Sequence, residues 1–108
     1  MQTLLLVDDR MPWVADGRKR STLRLPDEAA AITPGPIEIH AVSGAVPPVR
    51  VEVTAVHRRT YGALTEEDAR SEGYGGDVDG LRRGMLRHYP SLTPDSALMR
   101  IDFTVLRG

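Results

Sequence analysis

A chain of 108 residues with 41% apolar side chains, 27% charged side chains and a formal net charge of −1 has room for one packed core and exerts little general pull on a polyanion. It contains no cysteine, which excludes disulfides, thiolate nucleophiles and cysteine-type zinc sites. No run approaches the roughly 18–20 apolar residues needed to span a membrane. The expected organisation is a single domain over residues 1–108, located in the cytoplasm and without a cofactor. His40, His57 and His88 are scattered outside the spacings that metal sites favour, so no metal is expected.

The opening MQTLLLVDDR has no basic leader region and reaches two aspartates after its apolar run, so Thr3 to Val7 reads as a first strand rather than a signal peptide. Pro12 to Asp16 reads as a short helical turn that Gly17 stops, and Thr22 to Leu25 as a second short strand. The stretches Pro26–Pro34 and Ser43–Pro48 carry no periodic pattern and read as loops. Between them, Ile37, Ile39 and Ala41 alternate with Glu38 and His40 after the turn Thr33-Pro34-Gly35, the two-residue period of a half-buried strand. The same parity runs through Val49 to Val56 and returns in Met99 to Val105.

Leu64 to Gly73 reads as a helix with Thr65 as N-cap, acidic residues in its first turn and Gly73 as its stop. A second helix is expected from about Asp79 to His88, ended by Pro90. Five short strands with two to three short helices make an α+β chain. A small curled β-barrel is the expected arrangement, because curling reduces exposed strand edges.

Two segments carry chemistry. Lys19 is the only lysine among 14 basic residues, and lysine differs from arginine in being able to release a proton. In the strand after it, Leu23 and Leu25 are expected to face the core, so Thr22 and Arg24 share the opposite face. A hydroxyl, an amine and a guanidinium then meet beside one cleft; the same residues also read as an ordinary basic surface turn. The other segment ends in Glu72, just before Gly73. A carboxylate there opposes the helix macrodipole at a cost of roughly 0.3–1 kcal/mol, which suits either a tolerated surface glutamate or a functional one.

The motifs G-R-K-x-x-T-x-R (Gly17 to Arg24), V-x-V-T-x-V (Val51 to Val56), L-T-E-E-D-A-x-x-E-G (Leu64 to Gly73), Y-P (Tyr89-Pro90) and I-x-F (Ile101 to Phe103) occur in this order. Together they resemble the ASCH domain, a PUA-like family. The resemblance implies a PUA-like barrel of about five to six strands with a cleft beside the helices, suited to RNA or a modified base. The chain is also similar to a small bacterial branch of that family, the N4-acetylcytidine amidohydrolases. That likeness implies Lys19 as proton acceptor, Thr22 as nucleophile and Glu72 as proton donor. Arg18, Arg20, Arg24, Tyr61 and Tyr89 are the candidate substrate contacts. Neighbouring cations favour a neutral amine, and Arg24 is suited to steadying an oxyanion. Arg20 stands where the pattern often has a small hydroxyl residue, and Thr33-Pro34-Gly35-Pro36 replaces the usual Gly-Asp turn.

The expected function is removal of an acyl group from the exocyclic amine of a cytidine-like nucleoside. The alternative is an RNA- or modified-nucleic-acid-binding module, with ribonuclease activity as its variant and Trp13, Tyr61 or Tyr74 as stacking platforms. A third reading is an interaction domain whose cleft is vestigial, in which the three residues do not cluster.

Overall fold

The alternating segments form five strands and the punctuated ones form helices, in an order that brings both chain halves into one sheet. The computed structural model describes residues 2–106. The elements are β1 (Gln2–Leu6), α1 (Met11–Ala15), β2 (Ser21–Arg24), α2 (Pro26–Ala29), β3 (Gly35–Ala41), β4 (Val49–Thr60), α3 (Glu66–Ser71), α4 (Val78–His88) and β5 (Ala97–Val105). The strand order is β1-β3-β4-β5-β2. β1 pairs with β3 in parallel, and the other neighbours are antiparallel. The sheet curls into a half-barrel: β1 and β2 are its two edges and do not pair.

β4 outruns its expected end at Val56 because its pairing with β5 continues to Thr60 opposite Ala97. A bulge between Val53 and Ala55 shifts the register and lets so long a strand bend. Ile37, Ile39, Val51, Val53, Ile101 and Phe103 pack with Met11 and Val14 inside the curl. Leu23 and Leu98 join Leu64, Ala69, Leu81 and Met85 under α3 and α4. The sheet thus buries apolar residues on both faces, and β2 is covered on both: Ser21, Thr22 and Leu23 are all buried.

The segment after β2, expected to be loop, contains the short helix α2. Pro26 stands in its first turn, where a missing N–H costs nothing, and Glu28 accepts the Leu25 N–H at 3.2 Å. Helix α3 begins as its sequence implies: Thr65 Oγ1 accepts the Asp68 N–H at 3.2 Å while Asp68 Oδ2 accepts the Thr65 N–H at 3.0 Å, a reciprocal cap. Asp77 caps α4 by accepting the Gly80 N–H at 2.9 Å.

A buried ion network ties α3 to the sheet. Arg100 on β5 donates from Nη1 to Asp68 and to Glu67, each at 2.6 Å, and from Nε to Asp102 at 2.7 Å. Arg59 on β4 adds a bond to Asp68 at 3.1 Å. Burial opposes charge on Asp68, yet the Thr65 N–H, Arg100 and Arg59 together hold its carboxyl below its usual value. The hydrogen bond from Arg100 does the same for Glu67. Burial likewise disfavours the Arg100 cation, but its three carboxylate partners more than offset this and raise its pKa.

Candidate functional site

The gap between the two sheet edges is the site. Main-chain hydrogen bonding shows how the edges present themselves. Val42 N donates to the Leu6 carbonyl at 2.9 Å, so Leu4 and Leu6 turn their main-chain groups toward β3 and Leu5 turns its own outward. On the other side Phe103 N donates to the Arg20 carbonyl at 3.0 Å. Thr22 and Arg24 therefore face β5, while Ser21 and Leu23 face away from it. The space between is a cleft of about 290 Å³, walled by Leu5, Leu6, Thr22 and Leu23 and covered by α4 through Leu81 and Met85, with Tyr89 just past the helix end. Lys19 and Glu72 line it as well.

Glu72 is the C-cap of α3, where helix stability alone does not ask for a carboxylate. It reaches back to the sheet instead. Its Oε1 accepts Lys19 Nζ at 3.0 Å and the outward Leu23 N–H at 3.2 Å, and its Oε2 accepts Ser21 Oγ. Ser21 is held in turn by Ser71 Oγ at 2.8 Å. Lys19 is 7% exposed, Thr22 4% and Glu72 2%, so the sole lysine forms a buried ion pair beside a buried threonine. Breaking such a pair by removing one partner costs about 3–5 kcal/mol.

The turn that delivers Lys19 depends on Gly17, at φ +83, and is pinned by Lys19 N to the Trp13 carbonyl at 2.8 Å and Arg20 N to the Ser71 carbonyl at 2.7 Å. Arg24 shares the Thr22 face, as the strand period implies: its Nε donates to Thr22 Oγ1 at 3.1 Å. Its Nη2 crosses the gap to the Leu5 carbonyl at 2.6 Å. Tyr89 borders the cleft with its hydroxyl on Glu28 at 2.6 Å. Burial, then this bond to a carboxylate, pushes the Tyr89 phenol up to about 12.

The remaining sequence candidates sit elsewhere. Arg18 lies against Trp13, 3.8 Å from the ring centroid, and donates to the Gly73 carbonyl at 2.8 Å. Arg20 borders a separate hollow with Phe103 and Val105. Tyr61 is buried in the helix-side core and donates to the Arg82 carbonyl at 3.1 Å. Trp13 has Arg10 at 3.9 Å as well as Arg18. Two guanidiniums so close must lie on opposite faces, which leaves the indole no free face for a base. Tyr74 does line the cleft and accepts Arg10 Nη2 at 3.2 Å.

Sequence reasoning missed Ser21, Glu28 and Arg10. Ser21 had a usable signal, since strand parity puts it opposite Thr22; Glu28 and Arg10 had none. Among the described residues no group of three or more His, Asp or Glu side chains is placed to hold a metal ion, and no helix is long and apolar enough to cross a membrane.

The half-barrel and its helices have counterparts among solved structures. The ASCH domain of Lactobacillus crispatus superposes over 96% of this chain and 79% of its own, with a TM-score of 0.68 at 20% identity. This is an ASCH fold. A protein of Enterococcus faecalis V583 bearing the family label DUF984 matches over 98% of this chain and 76% of its own, with a TM-score of 0.75 at 19% identity. A Pyrococcus furiosus protein solved by NMR matches over 99% of this chain and 98% of its own, with a TM-score of 0.61 at 17% identity. No family model and no curated protein matches the sequence.

Proposed function

We propose that the protein is an amidohydrolase that removes an acyl group from the exocyclic amine of a cytidine-like nucleoside. The observation that carries this reading is the buried Lys19–Glu72 pair, joined at 3.0 Å beside the buried Thr22 hydroxyl in one open cleft. Thr22 Oγ attacks the acyl carbonyl while Lys19 takes its proton. Glu72 then protonates the departing ring amine, and water hydrolyses the acyl-threonine ester.

The reaction needs a neutral amine and a protonated carboxyl. Moving one proton along the Lys19–Glu72 hydrogen bond converts the ion pair into that state without drawing on solvent. Arg24 donates to Thr22 Oγ1, which leaves the threonine O–H free to point at its base. The cleft volume of about 290 Å³ lies at the small end of ligand sites and suits a nucleoside better than a longer ligand.

The test is incubation with N4-acetylcytidine, following release of cytidine, beside Lys19→Met, Thr22→Val and Glu72→Gln. Turnover is expected in the parent protein, with a fall of roughly 10²–10⁴-fold when a proton-transfer group is lost. Absence of turnover in the parent, or undiminished turnover in Lys19→Met and Glu72→Gln, refutes the reading.

A second reading, RNA binding through the same face, is favoured by Arg10, which lines the cleft and lies over Trp13, and by the fold shared with ASCH domains. Its mark is salt dependence: RNA affinity falls steeply with added salt if phosphates are contacted, and a flat response rejects it.

A further inference from the structure

Tyr74 follows Glu72 by two residues, so their Cα atoms are at most about 7.6 Å apart, and both residues line the cleft. Three contacts fix the Tyr74 side chain. Its ring meets Trp13 edge-on, with centroids 5.6 Å apart and planes at 79°. Arg10, stacked on Trp13 at 3.9 Å, donates Nη2 to the Tyr74 hydroxyl at 3.2 Å. The hydroxyl also lies against Gly84 of α4, where an added Cβ would collide with it. Glycine is a poor residue for a helix interior, and α4 carries one at the position that makes room for this phenol.

A guanidinium can only donate, so the Tyr74 oxygen is the acceptor and the phenol keeps its own proton to give. Among the described residues that O–H has no acceptor. A hydrogen bond accepted from a cation polarises the O–H and strengthens it as a donor. The cation itself is little neutralised: the carboxylate nearest Arg10 is the exposed Asp9, at 3.6 Å.

We propose that Tyr74 contacts the substrate, its hydroxyl, polarised by Arg10, donating to a carbonyl oxygen of the ligand. This deepens the amidohydrolase reading, and the kinetic arm of its test rests on that reading. An N-acylated cytosine offers two such oxygens, one on the acyl group and one on the ring. On the acyl oxygen the bond strengthens as negative charge develops during attack by Thr22 Oγ. On the ring oxygen it holds ground state and transition state alike. In both cases the phenol keeps its proton, and no atom is transferred.

Tyr74→Phe removes the O–H and keeps the ring against Trp13. Its kcat and KM for N4-acetylcytidine, and its calorimetric binding of cytidine, are compared with those of the parent protein. A bond to the acyl oxygen is expected to show as a fall in kcat of about 10²–10³-fold with KM little changed. A bond to the ring oxygen is expected to leave kcat unchanged and to weaken cytidine binding about tenfold, equivalent to about 1.4 kcal/mol. Arg10→Met, which keeps the phenol without its polarising cation, is expected to move the same parameter by less. Gly84→Ala, which displaces the phenol, is expected to reproduce Tyr74→Phe; if it fails to fold, Tyr74→Phe still decides.

Unchanged kcat, KM and cytidine binding in Tyr74→Phe overturn the inference and leave the hydrolase standing. If the parent does not turn over N4-acetylcytidine, its binding to parent and variant is compared instead. Weaker binding by the variant then keeps the contact while the hydrolase falls, and equal binding overturns both, as does binding of neither nucleoside at millimolar concentration.

Discussion

Replacing Arg100 with methionine tests whether α3, and with it Glu72, is held in place by charge. Arg100 is 7% exposed and Asp68 1%, so their bond at 2.6 Å is a buried ion pair. Removing one partner of such a pair costs about 3–5 kcal/mol. Asp68 keeps Arg59 at 3.1 Å and the Thr65 N–H at 3.0 Å, which argues for the low end. Glu67 is largely exposed and adds little, as surface pairs do. A loss of about 3 kcal/mol lowers the melting temperature by roughly 12–24 °C, at about 4–8 °C per kcal/mol.

The sign of the pH dependence follows from the two carboxyls. Both are held below their ordinary values of 3.8 for Asp68 and 4.5 for Glu67. Their contribution is thus complete above those values and is lost as pH falls through the lowered ones. The gap between parent and variant is expected to be full at pH 7 and to narrow as pH drops below about 4. Urea unfolding at a series of pH values reads this directly. A gap below 1 kcal/mol at pH 7, or one that stays constant into acid, refutes the reasoning.

Gly73→Ala forces a side chain onto a residue at φ +95 and puts its Cβ 2.7 Å from Trp13 Cε3. The left-handed backbone alone costs about 1–2 kcal/mol, so a larger loss is expected, with a shift in Trp13 fluorescence; an unchanged melt and spectrum count against it. Tyr89 is held up at about 12 by burial and by Glu28, against about 10 for an unfolded tyrosine. The unfolded chain releases that proton first, so stability falls as pH rises from about 10 to about 12. Tyr89→Phe is expected to lack that part of the fall, and an equally steep alkaline decline in the variant refutes it.

The elements themselves were legible in the sequence because their signals are local. Alternation marked β3, β4 and β5, Thr65 and Gly73 bracketed α3, and strand parity put Arg24 on the face of Thr22, where the 3.1 Å bond lies. The short helix α2 was missed, since four residues are too few to show a period. The ASCH resemblance, carried by residues spread over the chain, agreed with the fold that was found. Local pattern also left Glu72 ambiguous, because a carboxylate at a helix end looks the same whether it faces water or a lysine.

What the sequence determined by itself was which residues alternate, where helices start and stop, and that a single lysine stands before β2. Only the tertiary structure decided that Lys19 and Glu72, 53 positions apart, share a hydrogen bond, that Ser21 supports it, and that Arg18, Arg20 and Tyr61 lie away from the cleft. It also decided that the half-barrel stays open between β1 and β2. The physical reason is that periodicity specifies which face of a strand is apolar, whereas strand order and register specify which faces meet. Those are settled by packing of the whole core, through the bulge in β4 and the Arg100–Asp68 pair that seats α3 against the sheet.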